Sequence, residues 1–196
     1  MTRVISGLAR GRRLAVPPGG STRPTSDRAR EGLFGTLLAL RGDMEGARVL
    51  DLYAGSGAVG LEALSRGAGH VLLVEADARA ARVIGANIEA VGLAGAELAV
   101  DRVERVLARG PGPGPRFDLV VADPPYEMDD AQVERMLTAL TAGCWLEPGA
   151  VVAVERATRS GPMAWPPGFS PDRSRRYGEA TFWYGRAEPV CRDGRA

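Results

Sequence analysis

Four consecutive residues, Asp123-Pro124-Pro125-Tyr126, bring a carboxylate, backbone carbonyls outside any sheet ladder and an aromatic ring into one short turn. They follow the apolar run 117–122, which reads as a buried parallel strand. Two successive prolines lack the N–H groups a ladder needs, so the chain must leave the sheet at the strand's carboxyl end. Open α/β sheets bind ligands there. These groups suit a flat base with an exocyclic amine. The lone pair of such an amine is delocalised into the ring, and the nitrogen is a poor nucleophile. If Asp123 and the Pro124 carbonyl hold its two hydrogens, the lone pair is freed toward an electrophile. Tyr126 would stack on the base, a contact worth roughly 1–3 kcal/mol. A base inside a duplex cannot enter, so the target must be flipped out or unpaired.

The second constellation is a glycine turn. Residues 51–60 contain Gly55-x-Gly57-x-x-Gly60 between a predicted strand and a predicted helix. Glycines permit a tight turn and close approach of a ligand to the backbone. Glu75 ends the next predicted strand, where a carboxylate reaches ribose hydroxyls. Dinucleotide and nucleoside cofactors both use this arrangement. Asp51 helps to separate them, because a carboxylate aimed at the turn repels a pyrophosphate and attracts a cation. S-adenosylmethionine carries an ammonium and a sulfonium and no phosphate. Tyr53 and Ala76 flank these groups and are further candidate contacts. Asp101 and Arg102, after the third strand of the unit, lie where an adenine amine could be met; Asp101 could equally cap the next helix.

The elements that must position these turns repeat with α/β rhythm. Strands are expected at 48–52, 70–75, 96–100, 117–122 and 149–155, with helices at about 58–66, 77–91 and 129–142 and a short one after the third strand. Repeated βα units imply a doubly wound, mostly parallel sheet. Residues 172–177 and 179–185 read as an antiparallel hairpin that closes a seven-stranded sheet. Upstream, residues 3–17 read as a β-hairpin turning near Ala9–Gly11, and a helix starts at Ser26 or Asp27. The expected division is a basic hairpin extension over 1–25, a catalytic domain over 26–186 and a disordered tail over 187–196.

The 196 residues are 45% hydrophobic and 25% charged, as in a globular protein. No stretch approaches a membrane span and residues 1–20 lack a secretory h-region, so a cytoplasmic location is expected. Cys144 and Cys191 form no CxxC and read as free thiols, and His70 is the single histidine. No metal site is expected. The net charge of +1 conceals asymmetry. Residues 1–30 carry seven arginines and one acid, residues 31–155 ten arginines and nineteen acids, and residues 156–186 six arginines and two acids. An acidic body between basic ends suits a polyanionic partner, although a solvated basic face accounts for the same counts.

Residues 47–126 resemble the amino-methylating class I S-adenosylmethionine-dependent methyltransferases, whose signature is (Asn/Asp/Ser)-Pro-Pro-(Tyr/Phe/Trp). The N-terminal motifs at 3–7, 10–14 and 23–34 narrow this to a resemblance to the ribosomal small-subunit methyltransferase D family. That resemblance implies a Rossmann-like class I fold and methyl transfer to N2 of one guanine in 16S rRNA. It implies that Asp51, Gly55 and Gly57 line the cofactor site, that Glu75 binds ribose and that Asp123 to Tyr126 hold the guanine. It also brings Arg3, Arg10, Arg12, Arg13 and Arg23 toward rRNA and Thr25 toward the cofactor. The expected partner is 16S rRNA or a small subunit, met by a monomer. Gly35 departs from the family, which carries asparagine after the phenylalanine.

Two other functions use some of the same residues. An adenine-N6 methyltransferase acting on DNA or RNA shares the Asp123 turn. A nicotinamide-dependent dehydrogenase would explain the glycine turn and Glu75, but neither Asp51 nor the two prolines.

Overall fold

The computed structural model describes residues 2–18 and 26–189. Arg23, Thr25 and tail positions 190–196 lie outside them. The strands are β1 (Thr2–Arg3), β2 (Arg13–Leu14), β3 (Arg48–Leu52), β4 (His70–Glu75), β5 (Ala96–Val100), β6 (Phe117–Ala122), β7 (Leu146–Ala157), β8 (Phe169–Tyr177) and β9 (Ala180–Ala187). The helices are α1 (Asp27–Arg41), α2 (Ala58–Ser65), α3 (Ala78–Val91), α4 (Val103–Ala108) and α5 (Asp130–Ala142).

Seven strands form one sheet in the order β5-β4-β3-β6-β7-β9-β8. The first five are parallel, and β9 runs antiparallel to β7 and β8. This is the expected doubly wound α/β sheet with its antiparallel terminal hairpin. The order reverses between β3 and β6, so the crevice at their carboxyl ends is the topological switch point.

Alternation along the strands divides the core. Val49, Leu119, Val121 and Ala153 face α1, α2 and the N-terminal hairpin, together with Leu33, Leu61 and Ile84. Leu50, Val120, Val152 and Val154 face α4 and α5, with Val106, Leu137 and Leu140. Trp145 is a packing residue, stacked near Phe117 with its indole N–H on the Leu107 carbonyl at 3.1 Å. Helix starts follow local chemistry. The Ser26 hydroxyl caps α1, Asp77 caps α3, and Asp129 with Gln132 forms a capping box at α5.

Several boundaries differ from expectation. β7 begins at Leu146, β8 at Phe169, and β9 runs on through Ala187, which is buried. The N-terminal hairpin has only two paired residues per strand, Thr2 with Leu14 and Arg3 with Arg13. It is not a loose arm, because Val4, Ala9 and Leu14 are buried in the core that holds α1 and α2. Cys144 is disulfide-bonded, which corrects its reading as a free thiol, and Cys191 lies outside the described residues. Among the described residues no cluster suited to a metal ion occurs and no helix is long and apolar enough to cross a membrane.

Candidate active site

Strand register sets one row of side chains along the crevice. Leu52 pairs with Val74 on one side and Ala122 on the other, and Ala122 pairs with Val154. The next residue on each chain is therefore Glu75, Tyr53, Asp123 or Glu155, all at one level. All four line a cleft of about 870 Å³. Asp51 lies one step deeper on the same sheet face, two residues before Tyr53.

Asp51 is buried, and its Oδ2 accepts the Gly60 N–H at 2.8 Å. Burial pushes its pKa up to about 7; the Gly60 hydrogen bond opposes that shift and the Glu75 charge adds to it. A Cβ on Gly60 would stand 2.7 Å from Val71 and 3.1 Å from the Asp51 carboxylate, so the helix can approach Asp51 only with glycine there. Gly55, at φ +57°, donates its N–H to Glu75 Oε2 at 2.8 Å. Glu75 Oε1 accepts the Asp77 N–H at 2.8 Å. One carboxylate thus latches the glycine turn to the end of β4. Tyr53 holds φ +62°, a conformation that costs energy in a non-glycine residue and recurs at functional sites. Gly55 and Ala76 line the cleft, whereas Gly57 packs behind it, its Cα facing Leu73 and Ile84.

The Asp123 turn is fixed at both ends. Its N–H bonds the Leu52 carbonyl at 3.3 Å, and the Met128 N–H closes back on the Pro125 carbonyl at 2.9 Å. Arg156, buried at the end of β7, donates to the Met128 carbonyl and to Asp130 Oδ1, both at 2.8 Å. Asp123 and Pro125 line the cleft. Tyr126 is 46% exposed, unusual for a large aromatic side chain. Partial burial, then Glu155, Asp123 and Glu179, raise its phenol pKa, and Arg159 opposes them.

Residues 2–186 match the family model described as Conserved hypothetical protein 95. Ribosomal RNA small subunit methyltransferase D of Escherichia coli K12 is 33% identical over 180 residues, 92% of this chain and 87% of that protein. The Haemophilus influenzae protein of the same name is 35% identical over 154 residues, 78% of this chain and 77% of that one. The chain belongs to the ribosomal RNA small subunit methyltransferase D family. Among solved structures, Escherichia coli yhhF aligns at a TM-score of 0.81 and 31% identity, covering 95% of this chain and 97% of that chain. A more distant solved protein, complexed with SAH, shares the fold alone, at a TM-score of 0.60 and 14% identity over 76% of this chain and 47% of that one. The fold is that of the Rossmann-like class I methyltransferases.

Within this family member the other sequence candidates separate. Arg102 lines the cleft, but Asp101 does not. Arg102, not Asp101, is the cap residue of α4. The Asp101 carboxylate instead accepts the Arg102 N–H and pairs with Arg105 at 3.6 Å and with Arg109. Arg3, Arg10, Arg12 and Arg13 are all exposed. Arg3 pairs with Asp27 at 3.6 Å, and Arg12 donates to the Ala90 carbonyl at 3.1 Å.

Sequence reading missed three groups at or behind this cleft. Glu155 is one. Arg30 and Glu62 are the second, a buried pair 3.9 Å apart behind the N-terminal hairpin. Asn87 is the third. Its amide exchanges hydrogen bonds with Ala15 at 2.8 and 3.0 Å and donates to the Ser56 carbonyl at 2.8 Å. That side chain ties the N-terminal segment to the glycine turn, and Val16, Pro17 and Pro18 form a wall of the cleft. A signal was available only for Glu155, as a carboxylate at the carboxyl end of a strand.

Proposed function

We propose that this protein transfers a methyl group from S-adenosylmethionine to the exocyclic N2 of a guanine in 16S rRNA, acting on the RNA within an assembled or partly assembled small subunit. One observation carries the reading: the Asp123 turn begins against the Leu52 carbonyl, beside the glycine turn at the switch point. A base-gripping turn and a nucleoside-binding turn therefore open into one cleft. The family, and relatives named as small-subunit rRNA methyltransferases, support the choice of RNA.

The residues present fit the cofactor. On its β3–β4–β5 side the cleft is lined by Asp51, Glu75, Asp77 and Glu104 against Arg79 and Arg102. An acid-rich wall favours a cation and disfavours a pyrophosphate. Asp51 would face the cationic end and Glu75 the ribose. When bound, S-adenosylmethionine supplies an electrophilic methyl group. Asp123 accepts one N2 hydrogen, the Pro124 carbonyl accepts the other, and Tyr126 stacks on the ring. Holding both hydrogens localises the nitrogen lone pair, so positioning and local charge supply most of the rate.

Mass spectrometry of 16S rRNA nucleosides, mapped to position with and without the protein, tests this reading. The expected product is N2-methylguanosine at one site. Asp123→Ala should lower the yield by at least about a hundredfold while leaving S-adenosylmethionine affinity intact. Product only as N6-methyladenosine, or loss of cofactor binding as the main effect of Asp123→Ala, would sink it.

A further inference from the structure

Glu155 holds a place in the cleft that the methyl-transfer reading leaves unused. It follows Val154 as Asp123 follows Ala122, and Val154 and Ala122 are register partners on neighbouring parallel strands. Such strands lie about 4.8 Å apart, so the two carboxylate residues stand side by side at the sheet's carboxyl edge. Glu155 shares the sheet face of Ala153, and Asp123 continues that of Val121; both apolar residues belong to one core. Glu155 is only 6% exposed, yet it lines the cleft together with Asp123 and Phe182. The Tyr126 phenol lies in the field of both carboxylates. Two acceptors therefore bound one space, and Tyr126 follows Pro125 in the turn beside it.

The pairing edges of the two purines differ where a second acceptor would meet them. Guanine presents N1–H beside its N2 amine, two adjacent donors. Adenine presents a single amine beside an unprotonated N1, which is itself an acceptor. A flipped base is read through this edge. We propose that Glu155 accepts the N1–H of the guanine whose N2 amine Asp123 holds, and so selects guanine over adenine. The assignment rests on the guanine-N2 reading above. Against adenine the same carboxylate meets a lone pair, which repels the wrong base as well as gripping the right one.

The test uses small-subunit particles or rRNA carrying 2-aminopurine at the target position. That base keeps the 2-amino group but has no proton on N1. The wild-type protein should methylate guanine at least about tenfold better than 2-aminopurine, as kcat/KM, because one charge-assisted hydrogen bond is lost. Glu155→Gln should cost about ten- to a hundredfold on guanine and less on 2-aminopurine, shrinking that preference by about tenfold or more. S-adenosylmethionine affinity should stay within about twofold, since the change does not touch that half of the cleft. Glu155→Asp keeps a charged acceptor, where glutamine keeps only a neutral amide oxygen beside a donor, and should retain the preference at a reduced rate. A base preference unchanged in both variants overturns the assignment, as does a loss that falls on cofactor affinity or folding instead of preference. A wild-type protein that methylates adenine and no guanine overturns the guanine reading itself, which is a distinguishable failure.

Discussion

The Glu62 carboxylate accepts the backbone N–H of Ile5 at 2.6 Å. It also accepts the Ser6 N–H at 3.0 Å and the Arg66 Nε–H at 2.8 Å, with Arg30 Nε 3.9 Å away. Glu62 is fully buried and Arg30 is 1% exposed. One acid on α2 therefore supplies acceptors to a chain segment fifty-six residues upstream and balances two cations. Removing it strands buried charge and backbone donors together. Glu62→Gln should cost roughly 3–5 kcal/mol in chemical denaturation. It should also speed tryptic cleavage at the exposed arginines of the hairpin. A loss below about 1 kcal/mol would mean that the apolar contacts and the hydrogen bonds to Ser65 and Asn87 hold the hairpin without Glu62.

Because Val4, Ala9 and Leu14 are core residues, the hairpin cannot be deleted to test RNA binding without damaging the fold. Arg10 and Arg13 offer a cleaner route, since both are exposed. Replacing both by serine should leave stability within about 0.5 kcal/mol. If they contact phosphates, the slope of log K against log salt for rRNA binding should flatten by about 1 per arginine. An unchanged slope would move the RNA path elsewhere, with the exposed Arg175 on edge strand β8 the next place to look.

The hairpin also shows where the sequence stops being legible. The strands of the sheet could be read because 48–52, 70–75 and 117–122 are apolar runs with turn residues after them, and burial on both faces demands that pattern. The Asp123 and glycine turns were legible because proline and glycine state their own backbone demands. The hairpin was over-read as longer strands. Its backbone donors go to Glu62, Ser65 and Asn87, which lie on distant helices. Arg30 looked like one more charge in a basic segment, but Asp27 and Glu62 pair it out of solvent. Glu155 needed the register of β6 against β7, which no local pattern carries. Asp101 shows the opposite error: a plausible cap sits one residue too early, and its carboxylate answers α4's own arginines.

Gly35 lies inside the continuous helix α1 at an exposed position, and a Cβ built there meets nothing within 4 Å. Its neighbour Gly32 differs, because a Cβ there would run into the Tyr177 ring at 2.4 Å. Glycine in a helix interior costs roughly 0.5–1 kcal/mol relative to alanine through the entropy of the unfolded chain. Gly35→Ala should therefore raise stability by about that amount and the melting temperature by about 2–4 °C. Gly32→Ala should lower both. Calorimetry on the two variants separates them, and equal responses would mean that α1 and β8 do not pack as described.

Asp51 gives the site a pH dependence whose sign follows from burial. Its pKa is pushed up to about 7 in the folded protein, from an ordinary value of 3.8. An acid raised in this way favours the folded state only while protonated. Its contribution is intact below about pH 4, where both states hold the proton, and is lost progressively as pH rises toward 7. Asp51→Asn should flatten that part of the stability profile. Binding runs the other way, since a cation facing Asp51 stabilises the ionised form. Affinity for S-adenosylmethionine should rise with pH up to about 7, by as much as about tenfold per unit, and then level off. Binding near pH 6.5 should release a proton, visible as a buffer-dependent heat in titration calorimetry. His70, at the opposite end of β4, has its own pKa lowered chiefly by burial and lies outside the cleft lining. Asp51→Asn should bind more weakly at neutral pH, approach the wild-type affinity at acid pH, and lose both the slope and the proton release. A flat profile in the wild-type protein would mean that the carboxylate is already ionised, or that the cationic end of the cofactor lies elsewhere.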